Sequence, residues 1–351
     1  MRLRRSFAQA VLVIAAAGSA MLVAPARAGG GKLKVKTSLN AFAAVAREVG
    51  GDAIEVEALA RPNEDPHEIT ATPQLILKLK DADVFVENGV GLENWSEKSV
   101  GESKNEKIAK KAPGYCLATE GIAILDVPPP GSNVQNEEHA FGNPHTWFDP
   151  LMGHVFAKNI EACLGRVAPE KVDAWERNRE AFDKKLYEQI FGKDLVDMMD
   201  GGERLEKLVR QGKLDEFLAT KKFKEKPLTD LLGGLMKKAR PLRGLKLISY
   251  HDSVNYLART YGIDFVATLE PKSGIAPTPG HLEEVARLAK KVDAKVVVVM
   301  TCEPKKIAED FAKTIGARVA ALPSDVGADG TKDWFDFHEK IVDQLLEAAK
   351  K

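Results

Sequence analysis

Apolar positions along the chain fall in short blocks that switch between two periods. Residues 32–38 (KLKVKTS), 54–60 (IEVEALA) and 83–89 (DVFVENG) are rich in β-formers and bounded by Gly, Asn or Pro, which predicts strands. Between the first two, Phe42 to Val49 carries helical spacing. The segment 72–82 (TPQLILKLKDA) opens with Thr72 as a capping residue and Pro73 at the first helical position. Its Leu75, Leu79 and Ala82 form one apolar stripe. The C-terminal part repeats this grammar. Residues 245–251, 264–270, 295–301 and 318–324 predict strands, and VVVVM (296–300) is apolar throughout, as a central parallel strand requires. A helix over 278–292 again starts Thr-Pro, and the DAKVVVV that follows echoes the DADVFVE that follows the first Thr-Pro helix. The pattern predicts an α/β protein made of two lobes on one plan, each a parallel sheet flanked by helices.

A different text lies between the lobes. Residues 151 to about 195 are helical in spacing, broken at VAPEK, where Pro169 starts a new helix. Val172, Trp175, Phe182, Leu186 and Ile190 stripe that helix, which is long enough to span ~30 Å. Residues 200–240 are charged with only short apolar pairs, which predicts an insertion of short helices and loops whose lysines are solvated. The expected organisation is an N-terminal lobe over 29–168, a linking helix over 169–199, the insertion over 200–240 and a C-terminal lobe over 241–351.

The N-terminus changes the picture of location. Arg2, Arg4 and Arg5 precede the apolar run AVLVIAAAGSAMLVA, and ARA ends at Ala28, which reads as a secretory signal peptide over 1–28. The run is short for a membrane anchor, and no cysteine follows to carry a lipid. The expected destination is the periplasm. Loss of 1–28 removes four arginines and no acids from 51 basic and 51 acidic side chains, a net of −4. Nothing in that balance points to nucleic acid or an anionic membrane. Cys116, Cys163 and Cys302 match no metal or redox spacing; they read as buried small side chains with one disulfide at most, whose pairing the sequence leaves open.

The chemistry resides in the histidines, of which there are seven. His67 and His145 each follow a proline, in DPH and NPH. Proline fixes its own φ and restricts the residue before it, so both imidazoles ride on stiffened loops. His251 ends the strand LKLISYH, and ligands in open parallel sheets gather at the carboxyl ends of strands. Beyond the last strand, Asp325 in LPSDVG is the shaped carboxylate, with Asp329, Asp333 and Asp336 as competitors. Three imidazoles and one carboxylate close a tetrahedral metal site with no position left for water, which argues for carriage rather than catalysis. His139, in the acidic NEEH, is given at most an assisting role in capture; His154, His281 and His338 read as surface or packing residues.

These residues stand in blocks with a family resemblance. DPHEITATPQLILKLKDADVFVENGVGLENW, NPHTWFDP and YHDSVNYLARTYGI, in that order, resemble the histidine blocks of the cluster A-I metal-binding receptors of ABC importers, the zinc and manganese solute-binding proteins. The resemblance implies two α/β lobes joined by one long rigid helix, a metal held between them, and delivery to a membrane permease driven by an ATPase. Its ligand positions fall on His67, His145, His251 and Asp325, and the expected receptor is a monomer. Three departures stand out: Asn143 replaces the usual Asp of the second block, the ending around Asp325 is uncommon, and the long histidine-rich loop of many zinc receptors is missing.

Manganese receptors of this family tend to carry a carboxylate where His251 stands, and three imidazoles suit Zn²⁺ better than the harder Mn²⁺. Zn²⁺ is therefore the expected cargo, with Mn²⁺ or Fe²⁺ as alternatives, and binding should weaken below the imidazole pKa of ~6.5. Two other classes compete. A secreted metallohydrolase would need an open coordination position and a base such as Glu68 or Glu270, and no H-E-x-x-H is present. A receptor for organic solutes would line its cleft with aromatic walls and arginines.

Overall fold

The computed structural model describes residues 31–132 and 139–350; the expected signal peptide lies outside the described residues. The N-terminal lobe contains β1 (Leu33–Thr37), α1 (Asn40–Gly50), β2 (Ile54–Ala58), α2 (Pro73–Lys80), β3 (Val84–Glu87), α3 (Ser96–Ser103) and β4 (Tyr115–Leu117). Then come α4 (Met152–Val167) and α5 (Val172–Phe191). Short elements fill the expected insertion and its approach: α6 (Lys193–Met199), α7 (Glu203–Arg210), α8 (Leu214–Thr220), the hairpin β5 (Lys222–Phe223) and β6 (Lys226–Pro227), and α9 (Gly234–Lys238). The C-terminal lobe contains β7 (Lys246–Ser249), α10 (Asn255–Tyr261), β8 (Asp264–Thr268), α11 (Pro279–Val292), β9 (Val296–Met300), α12 (Lys305–Ile315), β10 (Arg318–Leu322) and α13 (Trp334–Ala349).

Both sheets are wholly parallel. The first runs β2-β1-β3-β4 and the second β8-β7-β9-β10, so each lobe repeats one order, second strand, first, third, fourth. The echo in the sequence thus reflects a shared topology. In this order the first strand borders the second on one side and the third on the other, and loops at its carboxyl end diverge to opposite faces, leaving a crevice for ligand. Both Thr-Pro starts form as expected: Thr72 Oγ accepts the Leu75 N–H at 3.2 Å and Thr278 Oγ accepts the His281 N–H at 3.4 Å.

The largest of three apolar cores among the described residues joins the lobes. It runs from Val35, Phe42 and Val45 through Phe156 on α4 and Trp175, Phe182 and Ile190 on α5, to Val296, Leu322, Phe337 and Ile341. The linking helix is held along its length by this core. A 3₁₀ turn, Pro169–Lys171, precedes it, and Gly192, at φ 87°, ends it. No helix among the described residues is long and apolar enough to cross a membrane.

Strand β4 was not legible, because three residues (YCL) are too few to display a period. It is the edge strand, and Cys116 at its centre is joined by a disulfide to Cys163 on α4, while Cys302 is free. The bridge closes a loop of 47 residues, for which chain entropy predicts about 4 kcal/mol as an upper figure. Replacing both cysteines by alanine should lower the unfolding free energy by about 2–4 kcal/mol in a denaturant titration. Unchanged stability would mean that the edge strand is held by its packing alone.

Candidate metal centre

The two Asx-Pro-His steps fold alike. The Asp65 Oδ1 accepts the backbone N–H of His67 at 2.9 Å, and the Asn143 Oδ1 accepts that of His145 at 3.0 Å. Each is an Asx turn across a proline, so the side chain at the first position and the ring at the second jointly fix the backbone from which the imidazole projects. That geometry is why Asp or Asn precedes each Pro-His step. The His145 loop is further braced by Asn88, whose Nδ2 donates to the Pro144 carbonyl at 3.0 Å and whose Oδ1 accepts from Thr146 Oγ1 at 3.0 Å. Glu93 in turn accepts the N–H groups of Asn88 and Gly89 at 2.7 and 2.9 Å. Burial, together with the neighbouring Glu87, pushes the Glu93 carboxyl up to about 7.

His251 stands two residues past β7, at the carboxyl end of that strand. Its Nδ1–H donates to Glu270 Oε2 at 2.7 Å. His145 Nδ1–H donates to Asn143 Oδ1 at 3.1 Å, and the Asn143 amide nitrogen donates to the Asp252 carbonyl at 2.7 Å. An Asp at 143 could not make that last bond, so the departure from the family block has a structural use: the amide orients His145 and ties one lobe to the other.

Four imidazoles meet here, not three. His67, His139, His145 and His251 each bring one ring nitrogen to within 4.8 Å of all the others. The six ring-centre separations run only from 5.0 to 5.4 Å. Four points that are mutually equidistant form a regular tetrahedron. With edges of 5.0 to 5.4 Å its centre lies ~3.2 Å from each ring centre, the distance expected for an imidazole bound to zinc through a nitrogen at ~2.0–2.1 Å. His67 Nε2 and His145 Nε2 are 3.3 Å apart, which matches one edge of a tetrahedron of nitrogens at that bond length, ~3.3–3.4 Å.

The cavity beside the rings has a volume of about 20 Å³ and is lined by His67, His145 and His251 together with Cys302 and Glu303. A space that small, walled by three of the four imidazoles, suits an ion better than an organic solute, whose pockets run to hundreds of Å³. Burial holds the pKa values of His67 and His145 well below the ordinary 6.5, and the neighbouring imidazoles push them further down. His139 is lowered too, mainly by burial, with Asp252 partly opposing. Neutral rings are the metal-binding form. Burial also pushes the Glu303 carboxyl up to about 7.

The late carboxylate expected as a ligand is engaged elsewhere. Asp325 lies at the N-terminus of α1, where its Oδ2 accepts Asn40 N–H and Asn40 Nδ2 at 2.7 and 3.1 Å. Its Oδ1 accepts the N–H groups of Ala41 and Val326, both at 2.8 Å. Leu39, at the head of α1, has no polar side chain to cap that helix, and Asp325 does so from the other lobe. Burial pushes its carboxyl up to about 6, against the pull of these donors. Asp333 caps α13 through Phe335 and Asp336, Asp336 accepts the Lys332 N–H, and Asp329 pairs with Lys340. His139 takes the fourth corner instead. Its signal in the sequence was slight: nearness to His145 and an acidic run before it. His154 pairs with Asp183, His281 contacts the Thr268 carbonyl, and His338 packs on Trp334 in the core.

The chain matches the family described as "ZnuA: Zinc-uptake complex component A periplasmic" over residues 35–190 and 216–348. It is 25% identical over 323 residues to the high-affinity zinc uptake system protein ZnuA of Bacillus subtilis, covering 89% of this chain and 84% of that protein. Over 159 residues it is 31% identical to the manganese ABC transporter substrate-binding lipoprotein PsaA of Streptococcus pneumoniae, covering 44% of this chain and 48% of that one. The crystal structure of ZnuA superposes with a TM-score of 0.65 at 21% identity, over 91% of this chain and all of that one, a likeness of fold.

The two roles open to Asp325 separate experimentally. Asp325→Ala should cost about 1–3 kcal/mol of folding stability, as lost capping of a buried helix end does, and leave zinc stoichiometry at one in equilibrium dialysis. Loss of zinc binding from a folded variant would return Asp325 to the coordination sphere.

Proposed function

Because the chain belongs to the family of periplasmic zinc-uptake complex components, we propose that it is an extracytoplasmic receptor that captures one divalent transition metal, zinc first, and delivers it to the permease of an ABC importer. The observation that carries this reading is the near-regular tetrahedron of His67, His139, His145 and His251. Four imidazole nitrogen donors suit Zn²⁺ and are a poor match for Mn²⁺, which favours oxygen. A metal bound by all four has no open position for a water nucleophile, so the arrangement supports transport over hydrolysis. Glu270, a candidate base in a hydrolase, is occupied with His251, and Glu68 is exposed. The metal is cargo: the protein's part is to hold its imidazoles neutral, aimed and dry until the permease takes the ion.

Competition titration and elemental analysis of the purified protein should find one tightly held zinc. His139→Ala and His251→Ala should each weaken zinc at least ~100-fold, more than the 10–100-fold typical of residues that only orient ligands. A variant at 139 as tight as the parent would leave a three-imidazole site.

Protons compete with metal for these rings. Since burial lowers the imidazole pKa values, affinity should hold from pH ~7.5 to ~6 and decline only well below the ordinary value of ~6.5. The metal-free protein should begin to lose stability earlier, as pH falls through ~6.5. The unfolded chain takes up protons below ~6.5 that the buried rings refuse, so unfolding is favoured as pH falls. A zinc affinity that already drops above pH ~6.5 would mean solvated rings.

A further inference from the structure

One turn of the C-terminal lobe touches two of the four imidazoles, one from each lobe. Glu270 Oε2 accepts both the Nδ1–H of His251 at 2.7 Å and the backbone N–H of Gly274 at 3.1 Å. The carboxylate thereby closes residues 270–274 into a tight loop, helped by the Glu270 N–H donating to the Tyr250 carbonyl at 3.1 Å. The loop presents Ser273, whose Oγ lies 3.2 Å from His139 Nδ1. The Asp252 carboxylate, next in sequence to His251, lies 3.6 Å from the same nitrogen. His139 belongs to the N-terminal half, yet both of these polar neighbours come from the C-terminal lobe. Its backbone is left-handed, at φ 58°, and it lies in no helix or strand. Its Nε2 is buried and makes no hydrogen bond among the described residues.

We propose that the Glu270–Gly274 turn is a positioning clamp: Glu270 aims His251, and Ser273 with Asp252 aims His139, so that the fourth ligand is in place only while the lobes are together. The inference rests on the receptor reading above. An acceptor at Nδ1 keeps the proton there and leaves the Nε2 lone pair for the metal. The same carboxylate shapes the loop that carries Ser273, so the aim of His251 and the docking of His139 are linked through Glu270. Separation of the lobes withdraws Ser273 and Asp252 from His139 first, because His251 travels with its own clamp. The metal is then left with three imidazoles and one open position, to which a permease group or water has access.

The test uses the full protein loaded with Co²⁺, whose visible spectrum reports coordination number, alongside Zn²⁺ competition titrations. Glu270→Ala should weaken zinc by about 10–100-fold, and Glu270→Gln, whose amide oxygen still accepts from Nδ1–H, should recover most of that loss. In Ser273→Ala combined with Asp252→Asn, the Co²⁺ spectrum should respond to added azide, which enters the vacated fourth position; the parent should not respond. Matching thermal unfolding of metal-free parent and variants excludes misfolding, and if Glu270→Ala does not fold, Glu270→Gln and the double variant carry the test. Variants with parental affinity and an azide-insensitive spectrum would overturn the clamp while leaving the receptor intact. A parent that binds no metal, or binds it without the histidines, would instead overturn the receptor reading.

Discussion

Four imidazole lone pairs brought within 5 Å of one another in a buried site repel unless a positive charge lies between them. Everything around the site serves to hold that unfavourable arrangement ready. Asp65 and Asn143 fix two backbones through Asx turns across prolines, Asn88 and Glu93 brace the second of them, and Glu270 orients the third ring. Each brace removes freedom that would otherwise be lost on binding, so affinity comes from organisation already present in the fold. The depressed imidazole pKa values belong to the same constraint: burial disfavours a proton's charge on His67 and His145 and so keeps them in the neutral form whose lone pair a metal ion can take.

The fold supports this with two sheets of one topology and a common core. Their parallel strands end at the crevice between the lobes, where His251 stands, and the loops after β2 and β4 bring His67 and His145 to the same place. Two of the cross-lobe contacts are directed at backbone groups. Asp325 reaches from beyond β10 to cap α1, and Asn143 reaches from the loop before α4 to the carbonyl of Asp252. These contacts tie the lobes together next to the four rings, whose near-equal separations depend on the distance between the lobes.

Much of this was legible in the chain because it is local. Thr-Pro starts, the all-apolar VVVVM and the Pro-His steps each announce themselves within a few residues, and the repeated strand-helix text foretold two like lobes. What was not legible is what depends on distant partners. Asp325 has the surroundings of a ligand, a proline before it and a glycine after it, but its role is decided by the N–H groups of Asn40 and Ala41, 285 and 284 residues away. His139 lies in a stretch with no period and a left-handed backbone, and its place at the site is decided by Ser273 and Asp252. Strand β4 and the Cys116–Cys163 pairing were hidden for the same reason: three residues carry no pattern, and two cysteines carry no address.

The closeness of the four rings has a kinetic meaning. Four imidazoles around one ion would leave it no coordination position for water, so a hydrated ion that binds there would exchange its waters for ring nitrogens. The pace of loading would then follow how readily an ion gives up its hydration, and such a site would sort metals by exchange rate as well as by affinity.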